Sequence, residues 1–317
     1  MYEEYYGFTE KPFSLTPDPK YLYKSASHAS AFDLLQYGIK RREGFVVITG
    51  DIGTGKTTLC RAVLGELDRK TFTALLLNPF LAEEDLLRLI LQDFGVVSRD
   101  EIKRGRLVGV SKQELIETLN DFLLSLRAIG AQALLIIDEA QNLPLHVLEQ
   151  VRILSNLETE KDKLLQIVLV GQSNLKDVLR KPEVRQLDQR VSIRYDLKPL
   201  SAEETAAYVM HRLSVAGGGA AVSFAPKALA RVHRYTGGIP RLINLLCDRA
   251  LLAAYSDHTN KITAELVKSA AESLEFERPR RSARIWLRQR FAAFTAGVFL
   301  TATFAAGAAA LWHYHLL

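Results

Sequence analysis

The stretch FVVITGDIGTGKTTLCRAVLGEL, residues 45–67, constrains this chain more than any other. An apolar run suited to a buried strand passes directly into a glycine-rich turn, and the turn into a segment with apolar spacing near 3.6. The turn, Gly50-Asp51-Ile52-Gly53-Thr54-Gly55-Lys56-Thr57-Thr58, fits G-x-x-x-x-G-K-[ST] in the strand-then-helix context the motif requires. Its glycines let backbone N–H groups turn inward around phosphate oxygens, Lys56 supplies a positive charge, and Thr57 offers a hydroxyl to Mg²⁺. These nine residues are the candidate nucleotide site, with Lys56 also a candidate catalytic group and Thr57 a candidate metal ligand.

Further apolar runs of strand length recur at 73–77, 133–138, 164–170 and 191–197, separated by helical patterns. That alternation predicts an α/β fold built on a parallel sheet. Ser111 with Glu114 reads as a capping box at the start of KQELIETLNDFLLSL. The stretch 98–110 breaks the pattern and reads as a solvated surface excursion. From about Pro199 the strands cease, and four helical segments split by glycine and HTN turns predict a small all-helical lid. The expected organisation is an α/β core over 1–198, including an N-terminal segment 1–44, then a helical lid over 199–277.

The strand LLIID ends in two adjacent carboxylates, Asp138 and Glu139. Downstream of a phosphate loop, Asp138 is placed to hold Mg²⁺ and Glu139 to orient an attacking water, which points to nucleotide hydrolysis. The next strand ends at Gln172. Either its amide senses a phosphate, or the segment is a helix-capping loop with Ser173 as the cap. Arg185, Arg190 and Arg194 cluster around the last strand, and Pro240 and Arg241 open a lid helix. Cys60 and Cys247 lie in apolar helical patterns with no partner spacing for zinc or redox work, and read as core residues of a reducing compartment.

The formal charge of +5 invites a nucleic-acid reading, but the excess sits in one place. Six of the chain's 41 Lys and Arg lie beyond Glu277, where no acid follows, and the remaining 35 face 36 acids. Residues 1–277 are therefore near neutral and lack the electrostatic footprint of strong DNA binding. The six arginines (Arg278, Arg280, Arg281, Arg284, Arg288, Arg290) form a juxtamembrane collar over 278–290. Residues 291–312 carry no formal charge, and at about 1.5 Å per residue they reach roughly 33 Å, enough to span a bilayer core. Trp286 and Trp312 flank the run as interfacial anchors would. The collar predicts a single-pass helix with residues 1–277 cytoplasmic, contact with membrane lipid, and the tail 313–317 outside. No signal peptide is expected at MYEEYYGF, and no folded domain is expected beyond the tail.

Taken in order, GDIGTGKT, LLIIDEAQ, the Gln172 strand tip, LDQRV and GIPR resemble the Walker A, Walker B, sensor 1, arginine finger and sensor 2 of the AAA+ ATPases. The N-terminal YYGFTEKPFSLTPDPKYLYKSASHASAFDLLQYGIKRREGFVVITGDIGTGKTTLCR is similar to the ATPases of the general secretion pathway protein A (GspA/ExeA) type, with their pilus-biogenesis and exosortase-associated relatives. The resemblance covers residues 1–277 and implies an ATP hydrolase with Mg²⁺. It implies that Arg190 reaches a neighbouring subunit's nucleotide, with Arg185 as the fallback, that Gln172 acts as sensor 1, and that Arg241 contacts its own subunit's nucleotide. Phe13 to Tyr23 and His28 become candidates beside the adenine, a core or cap role being the alternative for His28. A homo-oligomer, hexameric in such families, is implied, working with protein components of a secretion, pilus or exopolysaccharide-export system at the bacterial inner membrane. A DNA-directed ATPase for transposition or replication loading is the rival expectation. Longer relatives continue into a periplasmic peptidoglycan-binding domain absent from this sequence, so no peptidoglycan role carries over.

Overall fold

The computed structural model describes residues 2–276 apart from 78–81, 99, 102–103, 108, 161 and 218–221. The chain divides into two units, Met1–Leu274 and Glu275–Leu317, and everything below belongs to the first. The collar 278–290, the run 291–312 and both tryptophans lie outside the described residues. Among the described residues no helix is long and apolar enough to cross a membrane.

Five strands, β1 (Phe45–Gly50), β2 (Thr71–Leu76), β3 (Gln132–Ile137), β4 (Leu165–Gly171) and β5 (Val191–Leu197), form one sheet in the order β2-β3-β4-β1-β5, every pair parallel. The three inner strands bury nearly every residue, which is why they read in sequence as unbroken apolar runs. Successive residues feed opposite layers. Phe45 and Val47 join the core beneath α4 (Glu83–Asp93), α5 (Lys112–Ala128) and α6 (Leu145–Leu154), whereas Val46 and Ile48 join the core beneath α2 (Ala26–Lys40) and α3 (Lys56–Gly65). The Ser111–Glu114 capping box starts α5 as expected. Within the excursion 98–110, described only in part, Leu107 is buried in the core rather than solvated.

Among the described residues beyond β5 there are four helices, α9 (Ala202–Val215), α10 (Pro226–Thr236), α11 (Pro240–Ser256) and α12 (Ala264–Ser273). The expectation that strands cease here needs correction: β6 (Ser223–Phe224) and β7 (Lys261–Ile262) pair in parallel and tie the entries of α10 and α12 together. Two residues are too few to leave a period in the sequence. Gly238, at φ +77°, lets the turn before α11 close on the chain leaving the sheet; a Cβ there would lie 1.9 Å from Leu200 O.

The N-terminal segment departs from its expected place. Residues 2–13 pack on the helical lid rather than on the sheet: the Tyr2 hydroxyl donates to Asp248, Tyr6 Oη donates to Thr259 O at 2.8 Å, and Thr9 N donates to Ala216 O at 2.9 Å. Phe13 packs edge-on to Phe224 with ring centroids 6.4 Å apart. The chain thus starts on the lid, crosses to α2, and only then enters the sheet.

Candidate functional site

β4 lies between β1 and β3, so the loops after all three strands meet at one edge of the sheet. In open α/β sheets this carboxyl edge is where ligands bind. The turn after β1 carries Gly53 at φ +81° and Gly55 at φ +99°, conformations that favour glycine. Gly55 is the residue before α3, and no side chain caps that helix, so its first N–H groups are left for a ligand. Lys56 is 5% exposed, and its Nζ donates to Gly50 O and Asp51 O, each at 2.9 Å. Burial pulls its pKa down, opposed by the negative charges of Glu139, Asp138 and Asp51.

Asp138 follows β3 and is 4% exposed. Its Oδ2 accepts from Thr57 Oγ1 at 2.5 Å, and its Oδ1 accepts from Glu139 N at 2.9 Å. A hydroxyl and a buried carboxylate meeting beside a phosphate loop fit Mg²⁺, which keeps several waters and takes few protein ligands. Glu139 stands at φ +51°, a left-handed conformation that is uncommon and costly for a non-glycine residue. Its Oε2 accepts from Gln172 Nε2 at 3.1 Å and from Gln141 Nε2 at 2.6 Å. Gln141 also accepts from Gln172 N through its Oε1 at 2.9 Å. A Cβ on Gly171 would come 2.7 Å from that oxygen, so the glycine makes room for the amide. In the sequence Gln141 carries no signal beyond its position two residues past Glu139.

The alternative of Ser173 as a helix cap is not what the structure shows. Asn174 precedes α7 (Leu175–Leu179) without a side-chain cap, while Ser173 Oγ donates to Asp51 Oδ1 at 3.3 Å, tying the β4 tip to the phosphate loop.

The lid touches the loop directly. Arg241 N donates to Gly53 O at 3.1 Å, and a Cβ on Gly53 would lie 2.6 Å from Arg241 Cβ. A cleft of about 180 Å³ opens between these parts, lined by Ile52, Thr58, Glu139 and Arg241 on one side and by Ser14 to Asp18 and Tyr21 to Tyr23 on the other. Arg212 holds that second wall. It is buried on α9, its Nε donates to Pro12 O at 2.5 Å and its Nη2 to Ser14 O at 3.2 Å, and its guanidinium carbon stands 4.3 Å from the centroid of the Tyr21 ring. Sequence reasoning missed Arg212, because its partners lie about two hundred residues away. Phe13 does not line the cleft. His28 does, although its ring nitrogens face Ser25 Oγ and Thr54 O rather than open space.

The two finger candidates differ. Arg190 Nη1 donates to Ser155 Oγ at 2.6 Å and to Asn156 Oδ1 at 2.5 Å, just past α6, so its guanidinium is engaged within its own chain. Arg185, the first residue of α8 (Arg185–Gln189), is exposed and makes no side-chain hydrogen bond or ion pair among the described residues. Cys60 and Cys247 are both buried and free, and burial pushes both thiols up.

Residues 39–179 match the AAA domain family. Over 271 residues the chain is 46% identical to General secretion pathway protein A of Aeromonas hydrophila, a match that covers 86% of this chain and 48% of that protein. The chain thus spans about half the length of the curated relative it matches. Among solved structures, the ORC2 protein of Aeropyrum pernix superposes with a TM-score of 0.64 at 16% identity, covering 84% of this chain and 72% of that one. Cdc6p of Pyrobaculum aerophilum gives 0.60 at 19% identity over 86% and 70%, and the Thermotoga maritima RuvB Holliday junction branch migration motor 0.54 at 18% over 80% and 71%. At such identities the structural likeness speaks for the fold alone: a P-loop NTPase α/β domain of AAA type.

Proposed function

We propose that this chain, which carries an AAA-type P-loop ATPase domain, hydrolyses ATP to drive a bacterial secretion machine from the inner membrane. The observation that carries the hydrolytic reading is Glu139: an acidic side chain on a left-handed backbone, beside the Thr57–Asp138 pair and held by two amides. A carboxylate that served only as a turn residue would not need the two amides.

In this reading the backbone N–H groups from Gly53 to Thr57 and the Lys56 ammonium receive the phosphates, as the inward turn of residues 50–58 allows. Thr57 and Asp138 would hold Mg²⁺, which would supply neutralising positive charge. Glu139 orients the attacking water, and Gln172 joins Glu139 to the γ-phosphate side of the site. Ser14 to Tyr23 form the base side of the cleft, and Arg241 brings the lid to the same nucleotide. The arginine supplied to a neighbouring subunit is Arg185 rather than Arg190, because Arg190 would first have to break two hydrogen bonds of its own chain. A site completed from a neighbour implies a nucleotide-dependent homo-oligomer, of which a hexamer is the form the family resemblance suggests.

The relative's printed name supports placing the chain in general secretion, ahead of pilus biogenesis or exopolysaccharide export. The uncharged run 291–312 and its arginine collar support a single-pass anchor with lipid contact and a cytoplasmic ATPase. The near-neutral charge of residues 1–277 weighs against a DNA-directed role. The deciding experiment measures phosphate release by the full-length chain with and without duplex DNA, beside Glu139→Gln. DNA-independent turnover that the variant loses while still binding ATP supports the reading. Salt-sensitive stimulation by DNA overturns the secretion assignment, and turnover by the variant overturns the role of Glu139.

A further inference from the structure

His28 is 3% exposed and belongs to α2, outside the phosphate-loop motif, yet its ring reaches that loop. Its Nε2 lies 2.9 Å from Thr54 O and its Nδ1 lies 2.8 Å from Ser25 Oγ. The Thr54 carbonyl can only accept, so Nε2 carries the proton. His28 N already donates to Ser25 Oγ at 3.3 Å, which leaves the serine hydroxyl hydrogen for Nδ1. Both nitrogens are satisfied by one neutral tautomer.

The partner carbonyl is a special one. The ladder of α3 opens with Leu59 N donating to Gly55 O, and among the described residues no backbone N–H reaches Thr54 O. In a planar trans peptide the C=O and the following N–H point in opposite directions. A Thr54 carbonyl held toward the His28 ring therefore turns the Gly55 N–H away from that ring. Gly55 takes φ +99°, and a Cβ there would lie 3.3 Å from His28 Nε2, so the ring abuts the peptide it fixes.

The histidine is itself anchored from outside the loop. Ala26 N donates to Glu204 Oε1 of the lid at 2.9 Å, and Lys198 N, in the link from sheet to lid, donates to Ser27 Oγ at 3.0 Å. The first turn of α2 is thus fastened where the lid leaves the sheet.

We propose that His28 is a positioning residue for nucleotide binding: it presets the Thr54–Gly55 peptide so that the Gly55 N–H faces the phosphates before they arrive. This rests on the ATPase reading above. A preset donor raises affinity because no peptide has to rotate on binding. The effect falls on nucleotide Kd and KM rather than on kcat, since His28 touches neither the attacking water nor the metal pair.

The test titrates fluorescent ATP and ADP analogues into the detergent-solubilised full-length chain. His28→Gln keeps an N–H near the Nε2 position, whereas His28→Asn keeps one only near Nδ1. His28→Asn is expected to weaken Kd for both nucleotides about tenfold, the factor of one lost hydrogen bond of roughly 1.4 kcal/mol, while His28→Gln stays within about threefold of wild type. Wild-type affinity in His28→Asn, or equal weakening in both variants, overturns the proposal. Should His28→Asn not fold, Ser25→Ala, which removes the Nδ1 partner, carries the test with an expected loss of about threefold; unchanged affinity there overturns the proposal too. Lys56→Ala separates the failures. If wild type binds no nucleotide, or Lys56→Ala binds as tightly as wild type, the ATPase reading falls and this inference with it. If Lys56→Ala loses binding while His28→Asn keeps it, the inference falls alone.

Discussion

Gln141 Nε2 donates to Glu139 Oε2 at 2.6 Å, and the same Gln141 accepts the Gln172 N–H at 2.9 Å. One amide thus joins the carboxylate after β3 to the tip of β4. Gln141→Ala leaves Glu139 with only the longer bond from Gln172 Nε2 and unpairs the Gln172 N–H, a loss of about 1–3 kcal/mol if that group stays buried. The expected outcome is a fall in kcat of about tenfold with KM within twofold, read from phosphate release across ATP concentrations. Glu139→Gln removes the carboxylate proposed to orient the attacking water, so turnover is expected to fall at least about a hundredfold with ATP binding kept. Equal kcat for wild type and Gln141→Ala would show the amide to be idle.

Arg185→Ala and Arg190→Ala separate a residue reaching outward from one bracing its own chain. Arginines supplied in trans are worth about 10³-fold or more in phosphoryl-transfer rate. Arg185→Ala should therefore abolish most turnover while ATP binding and melting temperature hold. Arg190→Ala should lower the melting temperature by a few degrees, as expected for about 1 kcal/mol lost from the bridge between α8 and the end of α6. The reverse pattern, collapse of turnover in Arg190→Ala alone, returns the finger to Arg190.

The three inner strands were legible because parallel strands buried on both faces leave continuous apolar runs; the edge strands β2 and β5 are only partly buried, yet each of β1 to β5 starts within about two residues of the run read for it. The phosphate loop was legible because its glycines are dictated locally by positive φ and close backbone approach. What stayed hidden depends on distant partners. Nothing near Tyr2 or Tyr6 announces a lid that begins two hundred residues later, so the N-terminal segment was expected against the core. Gln141 sat inside a quoted motif, but its role appears only when β4 brings Gln172 beside it. Arg190 looked free because Ser155 and Asn156 carry no sequence signal for an arginine, and Arg212 looked like any lid arginine until Pro12 and Ser14 came beneath it.

The pH dependence of stability should carry a His28 component. Burial lowers the pKa of His28, with the bond to Thr54 O and the charge of Glu204 opposing it. In the unfolded chain an imidazole takes up its proton near pH 6.5. Between that value and the lower folded pKa the unfolded state binds more protons, so stability rises with pH there and is lost on acidification. His211, also lowered by burial and by Arg212, acts in the same direction. Urea midpoints at pH 7.5 and 5.5 should show wild type losing more than His28→Gln, by at most about 1.4 kcal/mol per pH unit. Identical losses would mean that the ring is not held neutral in the folded chain.

Glycine-to-alanine changes at either end of the loop–helix unit should have opposite outcomes. At Gly53, φ is +81° and a new Cβ would lie 2.6 Å from Arg241 Cβ, so alanine strains the backbone and pushes the start of α11 off the phosphate loop. The left-handed conformation alone costs about 1–2 kcal/mol in a non-glycine residue. The lid contact through Arg241 N and Gly53 O is lost as well, so nucleotide binding should fall below detection in a titration with a fluorescent ATP analogue. At Gly65, the last residue of α3, nothing lies within 4 Å of a new Cβ and φ is not positive, so alanine costs no contact and limits the unfolded chain. Gly65→Ala should raise stability by about 0.4–1 kcal/mol and leave nucleotide affinity untouched. Tight binding by Gly53→Ala would mean that the lid can leave the loop without consequence, which would remove Arg241 from the nucleotide site.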